Sequence, residues 1–482
     1  MESMTSDNQH EVGSPGYERL LRLFADVHPR EGATSLILVA NIFLILVAFY
    51  LVKPVREGWL AVTDIGDLTK LEIKAYSAFA QSILLLGILP FYARLAAKWS
   101  RNDLIVRVGV FFGILLVAFW LSQPGMILGK SPVFGILFYL FVGIFSVTLV
   151  AQFWAFSSDV YGAERGARLF PLIAVGAALG ATVGSWIGQK LVLMPAIDAF
   201  DLILVALVPL GMSLVFAVVA NRRGTYGNPS SWTTDRWQEP AAPSSEGPYQ
   251  LILKHRYLTA TAMMIMVFTW VVTSGDNILF GIVQSTLSDD LADLRSDPEA
   301  FSRAMQESTA VFYGDLYFWI NLVTLMLQAF AVSRILKAGG MQALLYTTPF
   351  VSLIAYASMA FVPLLGLIKV LKVVENSSTL SIHNTARHML WLPTSKEMLY
   401  QAKPTVDTLF VRLGDGMAAL TILVGTRVFQ LGNFGFVMIN IVLVLVWIGL
   451  STFLHRENRR WNLAASNPAP RSNPVVPPGA IQ

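Results

Sequence analysis

The chain has 482 residues, of which 55% are hydrophobic and only 14% charged, with a formal net charge of +4. A soluble domain carries about a quarter charged residues, so this balance excludes a soluble multidomain enzyme, a disordered protein and a nucleic-acid binder. The absence of cysteine excludes thiolate nucleophiles, disulfides and cysteine-ligated metals.

The apolar residues fall in blocks of about twenty, the length that crosses a hydrocarbon layer about 30 Å thick. A polar arm over 1–30 comes first, without the basic-then-apolar layout of a cleaved signal peptide. A first bundle over 31–220 then holds six predicted spans at 33–52, 73–95, 104–121, 133–156, 169–193 and 202–220. The stretch 221–250, rich in Pro, Ser, Gly and charge, reads as a cytosolic linker. A second bundle over 251–455 holds six more spans, at 258–283, 312–336, 341–362, 364–390, 406–429 and 434–454. The remainder, 456–482, reads as a disordered cytosolic tail. The expected fold is an all-α polytopic membrane protein of twelve helices in two halves.

Basic residues set the expected orientation. Arg94, Lys98 and Arg101, then Arg165 and Arg168, Arg222 and Arg223, Lys254 and Arg256, Arg334 and Lys337, and Arg456, Arg459 and Arg460 all fall on one side of twelve spans. That side is the cytosolic one, and it holds both termini. The opposite loop over 288–307 is acidic, with Asp289, Asp290, Asp293, Asp297 and Glu299.

An ionisable side chain at the centre of a span costs about 2.5–3.5 kcal/mol on insertion scales, so such residues face a polar cavity or a partner. Here they concentrate in four spans. The first ends in Lys53, Pro54, Arg56 and Glu57, where Lys53 and Glu57 stand i,i+4 and are placed to pair. Pro54 there weakens the helical ladder. The seventh ends in Asp276 and Asn277, a weak echo of the first in the other half. Along the tenth, Lys369, Lys372, Asn376, Thr379, His383 and Arg387 recur every three or four residues as one stripe, with Glu375 one turn from Lys372. The eleventh carries Asp407, Arg412 and Asp415. Two readings stand: these groups line a water-filled cavity, or they pair to hold the halves together. Gly176, Gly180, Gly184 and Gly188 form a small-xxx-small packing face rather than a phosphate loop. No Walker A sequence, metal-protease histidine spacing or Ser/His/Asp constellation is present, so neither enzyme activity nor a cofactor or metal is expected.

Several motifs resemble those of the nucleotide translocases, the ATP/ADP antiporters of plastids and intracellular bacteria. They are LVKPVREGWLAVT (51–63), FWAFSSD (153–159), VFYGDL (311–316), NTARHMLWLP (384–393) and KPTVDTLFVRLGD (403–415). The resemblance implies a twelve-helix, major-facilitator-like fold and a bacterial inner-membrane location. By position it implies transport roles for Lys53, Arg56, Asp276 and the Lys403–Asp407 pair. Two positions depart from the family pattern: Val142 stands where the translocases carry an acid, and Asp415 where they carry a lysine. The resemblance therefore implies a divergent relative whose solute need not be a nucleotide.

The resulting expectation is a secondary transporter, acting as a monomer in the lipid bilayer by alternating access. Lys53, Arg56, Lys369 and Lys372 attract a small anionic solute, a nucleotide among the candidates, with Asp276, Asn277, Asn376 and Arg387 completing the binding set. Glu57, Glu375, Lys403, Asp407, Arg412 and Asp415 serve gating or coupling. A proton-coupled exporter of another small molecule and a non-transporting membrane scaffold are the alternatives.

Overall fold

Helix starts and reversals in this chain are set by a few local devices, and these decide which side chains meet between the halves. A computed structural model describes residues 31–466 apart from 100, 127–130, 195, 225–246, 363 and 396–397. The expected arm over 1–30, most of the linker and residues 467–482 lie outside the described residues. Among the described residues the structure is helical, without strands. We label α1 (Gly32–Ala61), α2 (Lys70–Lys98), α3 (Arg101–Leu121), α4 (Val133–Tyr161), α5 (Arg168–Val192) and α6 (Asp201–Arg223). In the second half come α7 (Arg256–Asp290), α8 (Pro298–Met326), α9 (Val332–Phe361), α10 (Leu365–Ser378, continued by a π-turn at Thr379–His383 and by Asn384–Met389), α11 (Lys403–Arg427) and α12 (Asn433–Ser466).

Among the described residues, ten stretches are long and apolar enough to cross a membrane. The 64-residue stretch Pro298–Phe361 is one of them, whereas the charged segment of α10 is not. Packing shows how the two longest helical runs are folded. Gly176, Gly180 and Gly184 of α5 meet Val39, Phe43 and Val47 of α1 in rising order, so these helices run parallel. In α4, Tyr161 bonds Ser35 while Phe138 packs on Trp59, so α4 runs antiparallel to α1. The backbone of 133–192 therefore reverses between Tyr161 and Arg168. By the same test α8 is parallel to α10, through Asp315 with Lys369 and Ile320 with Ser377. α9 is antiparallel to α10, through Thr348 with Ser378 and Tyr356 with Glu375. The reversal falls at Gly340, whose φ of +60° suits a residue without Cβ.

These directions place the cluster of basic residues at one end of the bundle, called here the near end. Ala61, Lys70, the acidic 288–307 connection and Arg427 lie at the far end. Expected boundaries changed in three places. α8 begins at Pro298, with Asp297 as its N-cap, and α7 runs to Asp290, so most of the expected 288–307 loop is helical. α1 runs unbroken through Pro54 to Ala61, so Lys53, Arg56 and Glu57 are helical rather than terminal. α12 continues past Arg456 to Ser466, where a tail was expected. Asn458 there donates to the Tyr257 hydroxyl at 2.9 Å, which anchors the extra turns.

Two apolar cores result. One is built from α1 and α3–α6, around Phe138, Phe145 and Leu169. The other belongs mainly to α7–α12 but also takes Leu71, Ile73 and Ala75 from the first turns of α2. The halves are joined where α1 crosses α8 and along two hydrogen-bonded seams. On one, α2 lies antiparallel to α11: Arg427 reaches Glu72 at 2.7 Å and the Asp67 carbonyl at 3.2 Å, and Thr426 donates to Glu72 at 2.9 Å. Glu72 also closes the capping box of α2 with Thr69, so one carboxylate fixes both a helix start and the seam. On the other seam α5 meets α8, where Gln189 donates to Asp315 at 2.7 Å and Asn321 to Ser185 at 3.2 Å.

The glycine face of α5 has a measurable consequence. A Cβ at Gly180 lies 2.7 Å from the Phe43 Cα, inside any real contact, whereas one at Gly211 meets nothing within 4 Å. Gly180→Leu is expected to cost about 1–3 kcal/mol through overpacking, and Gly211→Leu close to nothing, as read by thermal unfolding of the detergent-solubilised protein.

Candidate functional site

Between the halves lies a cavity of about 410 Å³ lined from both sides. α1 contributes Lys53, Arg56 and Glu57, α2 contributes Lys74, α7 contributes Asp276, and α11 contributes Arg412 and Asp415. The charged lining is thus four basic to three acidic side chains.

Glu57 is fully buried and is the most heavily committed group. Its Oε1 accepts from the Arg56 guanidinium, its Oε2 accepts from Lys74 Nζ, and the Tyr317 hydroxyl donates to Oε1 at 3.4 Å. Each cation also lies over an aromatic face, with Arg56 at 4.4 Å and Lys74 at 4.8 Å from the Tyr139 ring centroid. A single carboxylate between two cations leaves that cluster one positive charge in excess.

Lys53 is different. Among the described residues it has no ion pair, and its Nζ sits over the Tyr317 ring at 3.8 Å, with Tyr50 at 5.1 Å and Phe49 at 5.6 Å. Tyr317 belongs to the other half. A desolvated cation–π contact is worth about 2 kcal/mol, enough to hold the ammonium in place without neutralising it. The expected i,i+4 pairing of Lys53 with Glu57 is therefore not what forms. Lys74, arriving from α2, takes the carboxylate position that Lys53 was expected to fill.

The remaining lining pairs locally. Arg412 meets Asp415 at 3.0 Å, as their i,i+3 spacing implied, and Asp415 also accepts from Thr273 at 2.8 Å and Ser82 at 2.5 Å. Asp276 is half exposed, with Lys372 at 3.5 Å. Asn277 lines the cavity with an amide nitrogen that has no hydrogen-bond partner among the described residues. Asn376 lines it from α10.

The tenth-helix stripe is not one surface. Lys369 pairs with Asp315 in a separate cleft of about 800 Å³ between α5 and α8. Lys372 is fully buried, bound to Glu375 at 2.5 Å, and Glu375 accepts from Tyr356 at 2.8 Å. Thr379 lines the central cavity, while His383 is buried between Phe268 at 3.9 Å and Trp447 at 5.2 Å. The π-turn at Thr379–His383 adds a residue to one turn and rotates the rest of the helix. Arg387 lies beyond it and bonds Asp407 at 2.7 Å, so the anticipated partner of Asp407, Lys403, is replaced. Arg387, Lys403 and Asp407 are not part of the cavity lining.

Sequence reasoning missed Lys74, Tyr139, Tyr317 and Asp315. Lys74 had a signal, since it is an ionisable residue one position inside the second predicted span. Asp315 lay within the VFYGDL motif. The two tyrosines carried none, because aromatic residues are frequent throughout the spans.

The all-helical arrangement has relatives among solved structures. The nucleoside transporter NupG superposes with a TM-score of 0.53 at 9% identity, covering 88% of this chain and 98% of that one. A POT family transporter in complex with a thioalcohol-conjugated peptide gives 0.57 at 12%, covering 90% and 97%. The human organic anion transporter MFSD10 gives 0.53 at 14%, covering 88% and 100%. The chain has a major-facilitator-like fold. No family model matches it and no curated protein does, so the nucleotide-translocase resemblance stays a matter of scattered motifs. What the major-facilitator-like fold does here is to bring the charged segments within α1 and α7, which echo each other in sequence, onto one cavity.

Removing one member of a buried charge cluster strands the others, at a cost of about 3–5 kcal/mol. Glu57→Gln is expected to lower stability by that order, because Arg56 and Lys74 both lose their counter-charge. Lys53→Gln is expected to cost no more than about 2 kcal/mol, the cation–π contact alone, since it breaks no ion pair. Denaturation of the two purified variants in detergent separates the groups that hold the fold from the one that does not.

Proposed function

We propose that this chain is a secondary transporter of an anionic solute, embedded in a bacterial inner membrane with both termini cytosolic, and that the solute occupies the central cavity during alternating access. The observation that carries the reading is Lys53, a cation in the cavity between the halves, held by ring faces and left without a carboxylate. An anion that arrives there gains a counter-charge in a low-dielectric site without first breaking a salt bridge. The uncompensated charge beside Arg56 and Lys74 favours the same sign of solute.

Twelve crossings result if the 64-residue stretch is counted as out and back and the charged α10 is counted once. The cluster of basic residues at the near end supports a cytosolic face there. In this reading Lys369, Lys372 and Arg387 act in holding α10 to its neighbours rather than in touching the solute. Lys403 and Asp407 lie toward the near end, Asp415 and Arg412 exchange partners as the halves rock, and Glu375 holds α10 to α9. The motif resemblance makes a nucleotide the first solute to try, in exchange for another.

A second reading, proton coupling, is favoured by Asp276. It is half exposed in the cavity with one basic neighbour at 3.5 Å, the setting of a carboxylate that gains and loses a proton as access alternates.

Counterflow decides between them. Proteoliposomes loaded with unlabelled ATP, ADP, inorganic phosphate or a dicarboxylate are expected to accumulate the labelled form of at least one of these anions. Lys53→Gln is expected to reduce that accumulation at least tenfold. Uptake that survives Lys53→Gln but collapses in Asp276→Asn favours the proton-coupled exporter. No counterflow of any anion by the folded protein contradicts the anion reading.

A further inference from the structure

The far end of the cavity is closed by a contact that neither the charges nor the motifs single out. In the turn of α1 that carries Glu57, the next residue is Gly58, and it faces α8 of the other half. A Cβ at Gly58 lies 2.7 Å from the Gln306 backbone carbonyl oxygen and 3.3 Å from the Ala310 Cβ. The first of these is a backbone atom and cannot swing aside, so the two helices meet there only because position 58 has no side chain. Other tight glycines on α5 pack within the first half. Gly58 packs between halves, one residue beyond the buried Glu57 cluster.

Beyond this contact the chain holds another cavity, of about 540 Å³, lined by Ala61, Lys70, Gln284, Arg295 and Met305. The central cavity ends on Glu57, Leu279 and Tyr313. The layer between the two includes the crossing of α1 and α8 at Gly58 and the buried Phe280 and Val283 of α7. Beside it, Glu72 on α2 holds Arg427 at the end of α11, so the closed layer has a clasp that also spans the halves.

We infer that the Gly58–Gln306 backbone contact is the far-end gate of this protein, and that the Glu72–Arg427 pair is its clasp. The inference rests on the alternating-access reading and gives it a location. In the structure described, the gate is shut: the layer between the solute cavity and the far-end vestibule contains a helix crossing that a single methyl group at position 58 disrupts. Opening moves α1 away from α8 at position 58, and the vestibule then joins the cavity. Closing requires Glu72 to regain Arg427.

The absence of cysteine makes the test clean, because one introduced thiol is the only one present. Ser146→Cys places it on the cavity wall. A membrane-impermeant maleimide is applied from the far-end side of oriented vesicles in the absence of any solute. With Gly58 present the thiol is expected to react slowly. Gly58→Leu is expected to raise the far-side rate at least tenfold, and Arg427→Gln to raise it to a smaller degree. Gly211→Leu, in open space, is expected to leave it unchanged.

Far-side labelling that is unaltered in both Gly58→Leu and Arg427→Gln, in protein that elutes as folded, overturns the gate. If Gly58→Leu does not fold, Gly58→Ala takes its place, since even one methyl collides with the Gln306 carbonyl. The readout is independent of transport. Counterflow failing while labelling responds leaves the gate standing and sinks the solute reading, and intact counterflow with unresponsive labelling does the reverse.

Discussion

Burying charge at the centre of a membrane protein is tolerable only when each charge is met by another or by an oriented dipole, and this constraint organises the whole interior here. Glu57 is the pivot. It is fully buried and takes Arg56 from its own helix, Lys74 from the next and a hydroxyl from Tyr317 in the other half. Three helices are thereby fixed at one point. Glu375 plays the equivalent role in the second half, gathering Lys372 and Tyr356. Where the constraint is fully met the result is a rigid strut. Where it is met only by ring faces, as at Lys53, the charge remains available.

The difference between those two conditions separates structure from function in this cavity. Lys53 and Lys74 have the same side chain and sit on the same wall, yet one closes an ion pair and the other lies against Tyr317. The same division runs along α10, whose Lys369 and Lys372 are both committed to carboxylates, on α8 and within α10 itself. A count of basic against acidic residues in the spans therefore says less about the solute than the identity of the cavity-lining cation that, among the described residues, has no ion pair.

The all-helical membrane-spanning character and the breaks near Gly340 and residues 162–167 were legible because hydrocarbon thickness imposes block length and reversals need small or polar residues. Pairings within one helix were legible too: Arg412 with Asp415 and Lys372 with Glu375 follow from turn geometry. Partners on different helices were not. Lys74 displaced Lys53 from Glu57, and Arg387 displaced Lys403 from Asp407, because register between helices is set by packing that spacing does not encode. The α10 stripe failed for a related reason: a π-turn adds a residue mid-helix, and no residue type there announces it. The Gly58 crossing was hidden among 35 glycines, distinguishable only once the backbone of α8 is in place.

The central claim is that an anion enters the cavity and meets the ammonium of Lys53. Charge movement reports this most directly. On a solid-supported membrane, a rapid jump to millimolar ATP, ADP or inorganic phosphate is expected to give a transient current as the anion enters the low-dielectric cavity. That current is expected to disappear in Lys53→Gln while the folded protein remains on the support. A current of the same size and time course in Lys53→Gln would contradict the account.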